Sequence, residues 1–176
     1  DILMVPWALQ RNVRFKPNVG PLLDPMQSPK AIEQNLIDNL PQKLAPVGEA
    51  LRLTKSNLPT ETALIGFAGA PWTVMTYIVE GGSSRDFAIT REWAWKYPKQ
   101  VDALLGSLIE STISFLSLQA SAGADALMLF DSWASAVPAA QRNWLVTRPA
   151  QLIIEGLRKN GHQQPVIGFP KGIGEG

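Results

Sequence analysis

Residues 125–135 read DALMLFDSWAS. An unbroken apolar run, Ala126-Leu127-Met128-Leu129-Phe130, stops on a carboxylate, a hydroxyl and an indole at Asp131-Ser132-Trp133. The run is too short for a buried helix and lacks the polar alternation of a half-solvated strand. That pattern belongs to a parallel strand covered on both faces. Three further stretches share it: ILMVP at 2–6, ALIGFAGAP at 63–71 and PVIGFPKG at 165–172.

Amphipathic stretches separate these runs. SPKAIEQNLIDNL (28–40) starts on a Ser–Pro pair, with Ser28 read as the cap and Pro29 as the first helical residue. PVGEALRLTKSNL (46–58) spaces its apolar residues near 3.6. Residues 98–123 and 149–161 read as helices closed by Gly123 and Gly161. QRNVRFKPNVGPLLDP (10–25) reads instead as an inserted hairpin. Strand and helix in alternation imply βαβ units, an α/β fold and a parallel sheet. Four such units are too few for a complete (β/α)8 barrel of about 250 residues. They make half of one or a small open sheet, and the pattern alone does not choose.

The 176 residues carry 16 basic and 15 acidic side chains, for a formal charge of +1. No basic stripe points to nucleic acid. With no cysteine, disulfides and thiolate metal sites are excluded. No apolar run approaches the roughly 20 residues of a membrane span, and no signal-peptide pattern is visible, so a cytoplasmic protein without membrane partners is expected. The chain opens on Asp1 and an apolar run and stops just after another, which reads as a piece of a longer chain.

In parallel α/β folds ligands bind at the carboxyl ends of the strands. Gly69-Ala70-Pro71-Trp72, Asp131-Ser132 and Lys171-Gly172 fall at such ends. Asp131 and Ser132 read equally well as a helix cap. In GFAGAPWTVMTYIVEGGSS (66–84), Pro71 starts a helix that Gly81-Gly82 end. Tyr77 on that helix is either a donor to an anionic ligand or an ordinary interface aromatic. His162, the only histidine, lies in a turn with no metal-ligand spacing around it. Trp93 and Trp95 read as packing residues. GIGEG at 172–176 is an incomplete dinucleotide motif outside any βα context.

The segments DILMVPWAL, GFAGAPWTVMTYIVEGGSS, ADALMLFDSWA and PVIGFPKGIG, in this order, resemble the uroporphyrinogen decarboxylase family across essentially the whole chain. The resemblance implies a fragment, residues 1–176, of a single (β/α)8 barrel domain with its active site at the C-terminal mouth of the strands. It implies decarboxylation of the four acetate side chains of uroporphyrinogen III to give coproporphyrinogen III. No metal and no organic cofactor are implied, and the full-length enzyme is expected to be a homodimer. Asp1 matches the aspartate facing the pyrrole NH groups and is the catalytic candidate. Tyr77 and Ser132 match substrate-binding positions, and Phe67 and Phe130 match apolar residues lining the cleft. Ser135 stands where the family has glycine, so a positive φ there would be strained. An arginine-rich segment and an active-site histidine of the family are not in this chain, and Arg85 and Lys171 are weak substitutes. The chain alone is therefore expected to be inactive. Two alternatives are a corrinoid-linked methyltransferase on the same barrel, whose zinc ligands include the cysteine this chain lacks, and a truncated product with no activity.

Overall fold

Residues 2–6 do not form a strand. The structure, a computed structural model, describes residues 1–174; Glu175 and Gly176, the end of GIGEG, lie outside the described residues. Residues Met4–Ala8 form a short helix, α1. Asp1 opens it locally: its Oδ1 accepts the Leu3 N–H at 2.9 Å and its carbonyl accepts the Met4 N–H at 3.2 Å. Pro6 falls in the first turn, where a missing N–H is harmless. The run looks like a strand because it is apolar throughout, with Leu3, Val5 and Pro6 buried and Ile2 and Met4 half-buried.

The hairpin is present as β1 (Arg14–Lys16) and β2 (Gly20–Leu22), paired antiparallel. Ser28-Pro29 does not start a helix; α2 begins later, at Gln34–Asp38, and α3 runs Leu40–Asn57. A tertiary bond holds the preceding segment out of helix, since the buried Ile32 donates its N–H to Ser107 Oγ at 3.1 Å. The chain then runs through β3 (Ile65–Gly69), α4 (Pro71–Glu80), α5 (Ala88–Lys96), α6 (Pro98–Ser121) and β4 (Ala126–Asp131). A π-helical turn, Asn143–Thr147, leads into α7 (Arg148–Lys159), and β5 (Val166–Pro170) follows. Pro71 occupies the first position of α4, and Gly81 ends that helix with φ 77°, its N–H on the Tyr77 carbonyl. Trp93 is buried as expected, whereas Trp95 is 82% exposed and is not a core packing residue.

Strands β3, β4 and β5 pair in parallel, in that order, with Phe67 opposite Met128 and Phe130 opposite Phe169. The two faces of this sheet differ. Ala68, Leu127 and Leu129 are buried on the side covered by α4 and α6. The other face carries Phe67, Met128 and Phe130 half-buried, with Ile65, Ile167 and Phe169 exposed. Helices on one side and an apolar, uncovered wall on the other make this an arc of a (β/α)8 barrel, not a doubly wound sheet with helices on both faces. Among the described residues three parallel strands are present where four were expected, because residues 2–6 form a turn and the start of α1.

Helix α6 is the spine of the outer layer. By length and composition its 24 residues suffice to cross a membrane, which no single apolar run in the sequence suggests. Here Leu104, Leu108, Phe115 and Leu116 are buried in the core, packed by α3, α4, α7 and the sheet. Gln119 near its end, 3% exposed, accepts the Phe67 N–H at 2.8 Å and donates to the Phe67 carbonyl at 2.9 Å. One side chain thus serves both backbone groups of Phe67. Gly66 makes room for it: a Cβ there would lie 2.9 Å from Gln119 Oε1 and 3.2 Å from the Ala124 Cβ. Gly66→Ala is therefore expected to destabilise the chain by about 1–3 kcal/mol, read as a lower denaturant midpoint at unchanged m-value.

Candidate functional site

The carboxyl ends of β3 and β4 meet the N-terminal segment at Gly69. A Cβ on Gly69 would stand 2.8 Å from the Ile2 carbonyl oxygen and 2.9 Å from Val74 Cγ2, so only glycine lets residues 1–3 close over the end of β3. Below that contact lies a cavity of about 460 Å³ lined by Ile2, Ile65, Phe67, Met128, Phe130 and Ser132. Five of these side chains are apolar, and the Ser132 hydroxyl is the polar exception. Phe67 and Phe130 meet edge to face with centroids 5.5 Å apart, and Phe130 meets Phe169 at 6.0 Å. Three adjacent strands thus contribute one continuous aromatic wall, in which each ring edge meets the negative face of its neighbour.

The structure brings together Phe67, Phe130 and Ser132 of the expected residues. Asp1 is next to this group in the chain, through Ile2. It is exposed, its Oδ1 is held by the Leu3 N–H, and its Oδ2 has no partner among the described residues. Tyr77 is buried on the second turn of α4 and packs against Trp133, ring centroids 6.4 Å apart. It does not line the cavity, and its hydroxyl makes no hydrogen bond among the described residues. Ser135 is not strained. It sits in a 3-10 turn, Ala134–Ala136, outside the positive-φ residues, and packs close to Gly172, which takes φ 73°. His162 lies between α7 and β5, at the opposite end of the strands from Ser132. Phe169 belongs to the wall although the sequence reading did not single it out; its place opposite Phe130 needs the β4–β5 register, which one strand does not disclose.

Asp131 has a different role from its neighbour. Strand alternation turns Ser132 toward the cavity and Asp131 toward the helices, where it is 4% exposed. Its Oδ1 accepts the Thr73 hydroxyl at 2.6 Å in the first turn of α4. The residue therefore ties β4 to α4, the helix that follows β3. Burial pushes its carboxyl up to about 6, and the hydrogen bonds from Thr73 oppose that rise.

The family model for uroporphyrinogen decarboxylase matches residues 1–175. The chain is 45% identical over 174 residues to the uroporphyrinogen decarboxylase of Rhodospirillum rubrum and 44% identical over 174 residues to that of Maricaulis maris. That of Caulobacter vibrioides is 45% identical over 174 residues. Each comparison covers 99% of this chain, which spans about half the length of these curated relatives.

The raised value at Asp131 makes stability depend on pH in a defined direction. Between the ordinary 3.8 and about 6, the folded chain keeps a proton that the unfolded chain has lost. The contribution is most favourable below that window and is lost as pH rises through it, on the order of 3 kcal/mol in all. Asp131→Asn removes this dependence. Denaturation series from pH 4 to 7 should show the parent losing stability relative to the variant up to about pH 6, with a constant difference above.

Proposed function

The chain belongs to the uroporphyrinogen decarboxylase family, and on that premise we propose that it is the part of a barrel carboxy-lyase that forms one wall of the substrate cleft. The full enzyme converts uroporphyrinogen III to coproporphyrinogen III by removing the four acetate carboxyl groups. The observation that carries this reading is the aromatic cavity at the strand ends, with Ser132 as its polar lining group and the Asp1 segment closing over its rim.

The chemistry needs such a place. A proton added to a pyrrole α-carbon makes the ring cationic. The C–C bond to the acetate carboxylate then breaks, carbon dioxide leaves, and the bonding pair moves into the cationic ring. The exocyclic carbon takes up a proton and the ring carbon loses one, leaving a methyl group and a neutral pyrrole. A fixed carboxylate near the ring NH groups lowers the energy of the cation as it forms, and more so where apolar walls exclude water. Asp1 fills this role: the Leu3 N–H holds one oxygen and leaves the other for the pyrrole NH groups. Phe67 and Phe130 supply the dry wall and Ser132 donates to a substrate carboxylate within it, while Tyr77, which lies outside this cavity, donates to a carboxylate that extends beyond it and helps orient the ring under attack. The full-length protein acts as a cytoplasmic homodimer in this reading.

With uroporphyrinogen III and the full-length enzyme, Asp1→Asn is expected to lower kcat by roughly 10²–10³. Tyr77→Phe is expected to raise KM by about fivefold with little change in kcat. Chromatographic assay of the coproporphyrinogen formed separates the two; equal, small losses in both variants would overturn the division of roles.

A further inference from the structure

Resting on the reading that Ser132 meets substrate, we propose that the first turn of α4 is its positioning element, with Trp72 and Thr73 gripping the Trp133 peptide from both sides. Thr73 and Trp72 are fully buried and neither lines the cavity. The Thr73 hydroxyl donates to Asp131 Oδ1 at 2.6 Å and accepts the Trp133 N–H at 3.1 Å. Its two partners flank Ser132, so a single hydroxyl spans that residue without touching it. The Trp72 Nε1–H donates to the Trp133 carbonyl at 3.0 Å. One step earlier, the Ala70 N–H donates to the Phe130 carbonyl at 2.9 Å. Residues 70–73 therefore hold the backbone of 130–133 at three points and the Asp131 side chain at a fourth.

Ser132 uses none of this capacity itself. Its hydroxyl makes no hydrogen bond among the described residues and lies on the wall of a cavity that is otherwise apolar. A fixed backbone carrying an unspent donor is what orientation of a carboxylate requires, because the entropy of placing the group is lost on folding rather than on binding. Threonine suits the bridge better than its near relatives. Valine has the shape but neither donor nor acceptor, and serine has the hydroxyl without the β-methyl that stiffens χ1. Asp131, buried and aimed away from the cavity, acts through Thr73, not on substrate.

The test is a double-mutant cycle in the full-length enzyme with uroporphyrinogen III as substrate. Ser132→Ala and Thr73→Val are each expected to lower kcat/KM by about tenfold or more, with the same division between kcat and KM. Mere loss of folded protein would lower apparent kcat alone. The double variant is expected to match Ser132→Ala within about twofold, and Thr73→Ser to recover most of the loss. If Thr73→Val does not fold, Trp72→Phe, which removes only the indole end of the grip, is taken through the same cycle with Ser132→Ala. Losses that multiply in the double variant overturn the positioning role and leave the reading of Ser132 intact. Unchanged turnover in Ser132→Ala overturns that reading, and the positioning role falls with it.

Discussion

A strand that ends on a charge must place that charge, and the side it chooses settles the geometry of everything after it. Strand alternation sends Asp131 and Ser132 to opposite faces of β4. Asp131 goes under the helices, where an unpaired carboxylate would be strongly unfavourable, and Thr73 meets it at the first turn of α4. That single contact joins the ends of β3 and β4 through α4, the helix that leaves β3. With Asp131 fixed inward toward the helices, Ser132 has only the cavity to face, and Trp133 is laid across α4 toward Tyr77 and Phe87, at centroid distances of 6.4 and 5.1 Å. The polar stop in an apolar run is thus two devices in adjacent positions, one structural and one facing the candidate ligand site.

The rest of the arc follows from a second constraint, the need to cover one sheet face only. Glycine and alanine at 66 and 68 let α6 approach β3 closely enough for Gln119 to reach the Phe67 backbone. On the opposite face, the same strands place phenylalanine, methionine and isoleucine. The small residues and the large ones alternate along β3, so a tight helix layer outside and a bulky wall inside come from one five-residue segment, IGFAG.

How much of this can be read without coordinates depends on how local the cause is. The three parallel strands, the hairpin, α4 with its Pro71 start and Gly81 end, and α6 were legible because their signals are short-range: apolar runs, a proline, a left-handed glycine. Residues 2–6 misled because a run with no polar residue shows neither a helix nor a strand period, and five residues are too few for periodicity to decide. Ser28-Pro29 has good cap chemistry, but a hydrogen bond to Ser107, 75 residues away, prevails over it. Phe67, Phe130 and Ser132 come together as expected, since each marks the end of a strand or its inward face. Phe169 and Thr73 were not singled out for the opposite reason. Their roles exist only once the register of two strands, or the docking of a helix on a strand end, is known.

Exposure on the inner wall also has a physical direction. Phe169 is 45% exposed and Ile65 46%, whereas Phe130 between them is half-buried. The exposed side chains of this wall, Ile65, Ile167 and Phe169, thus all lie on the edge strands, and the central Phe130 meets a ring on each flank. Such a difference follows from the order of the sheet, because a side chain on an edge strand has a neighbour on one flank only, whereas Phe67 and Phe169 cover Phe130 on both. It also places the driest part of the wall beside Ser132. A hydrogen bond from a hydroxyl there meets less competing water than the same contact at the rim, and is stronger for it.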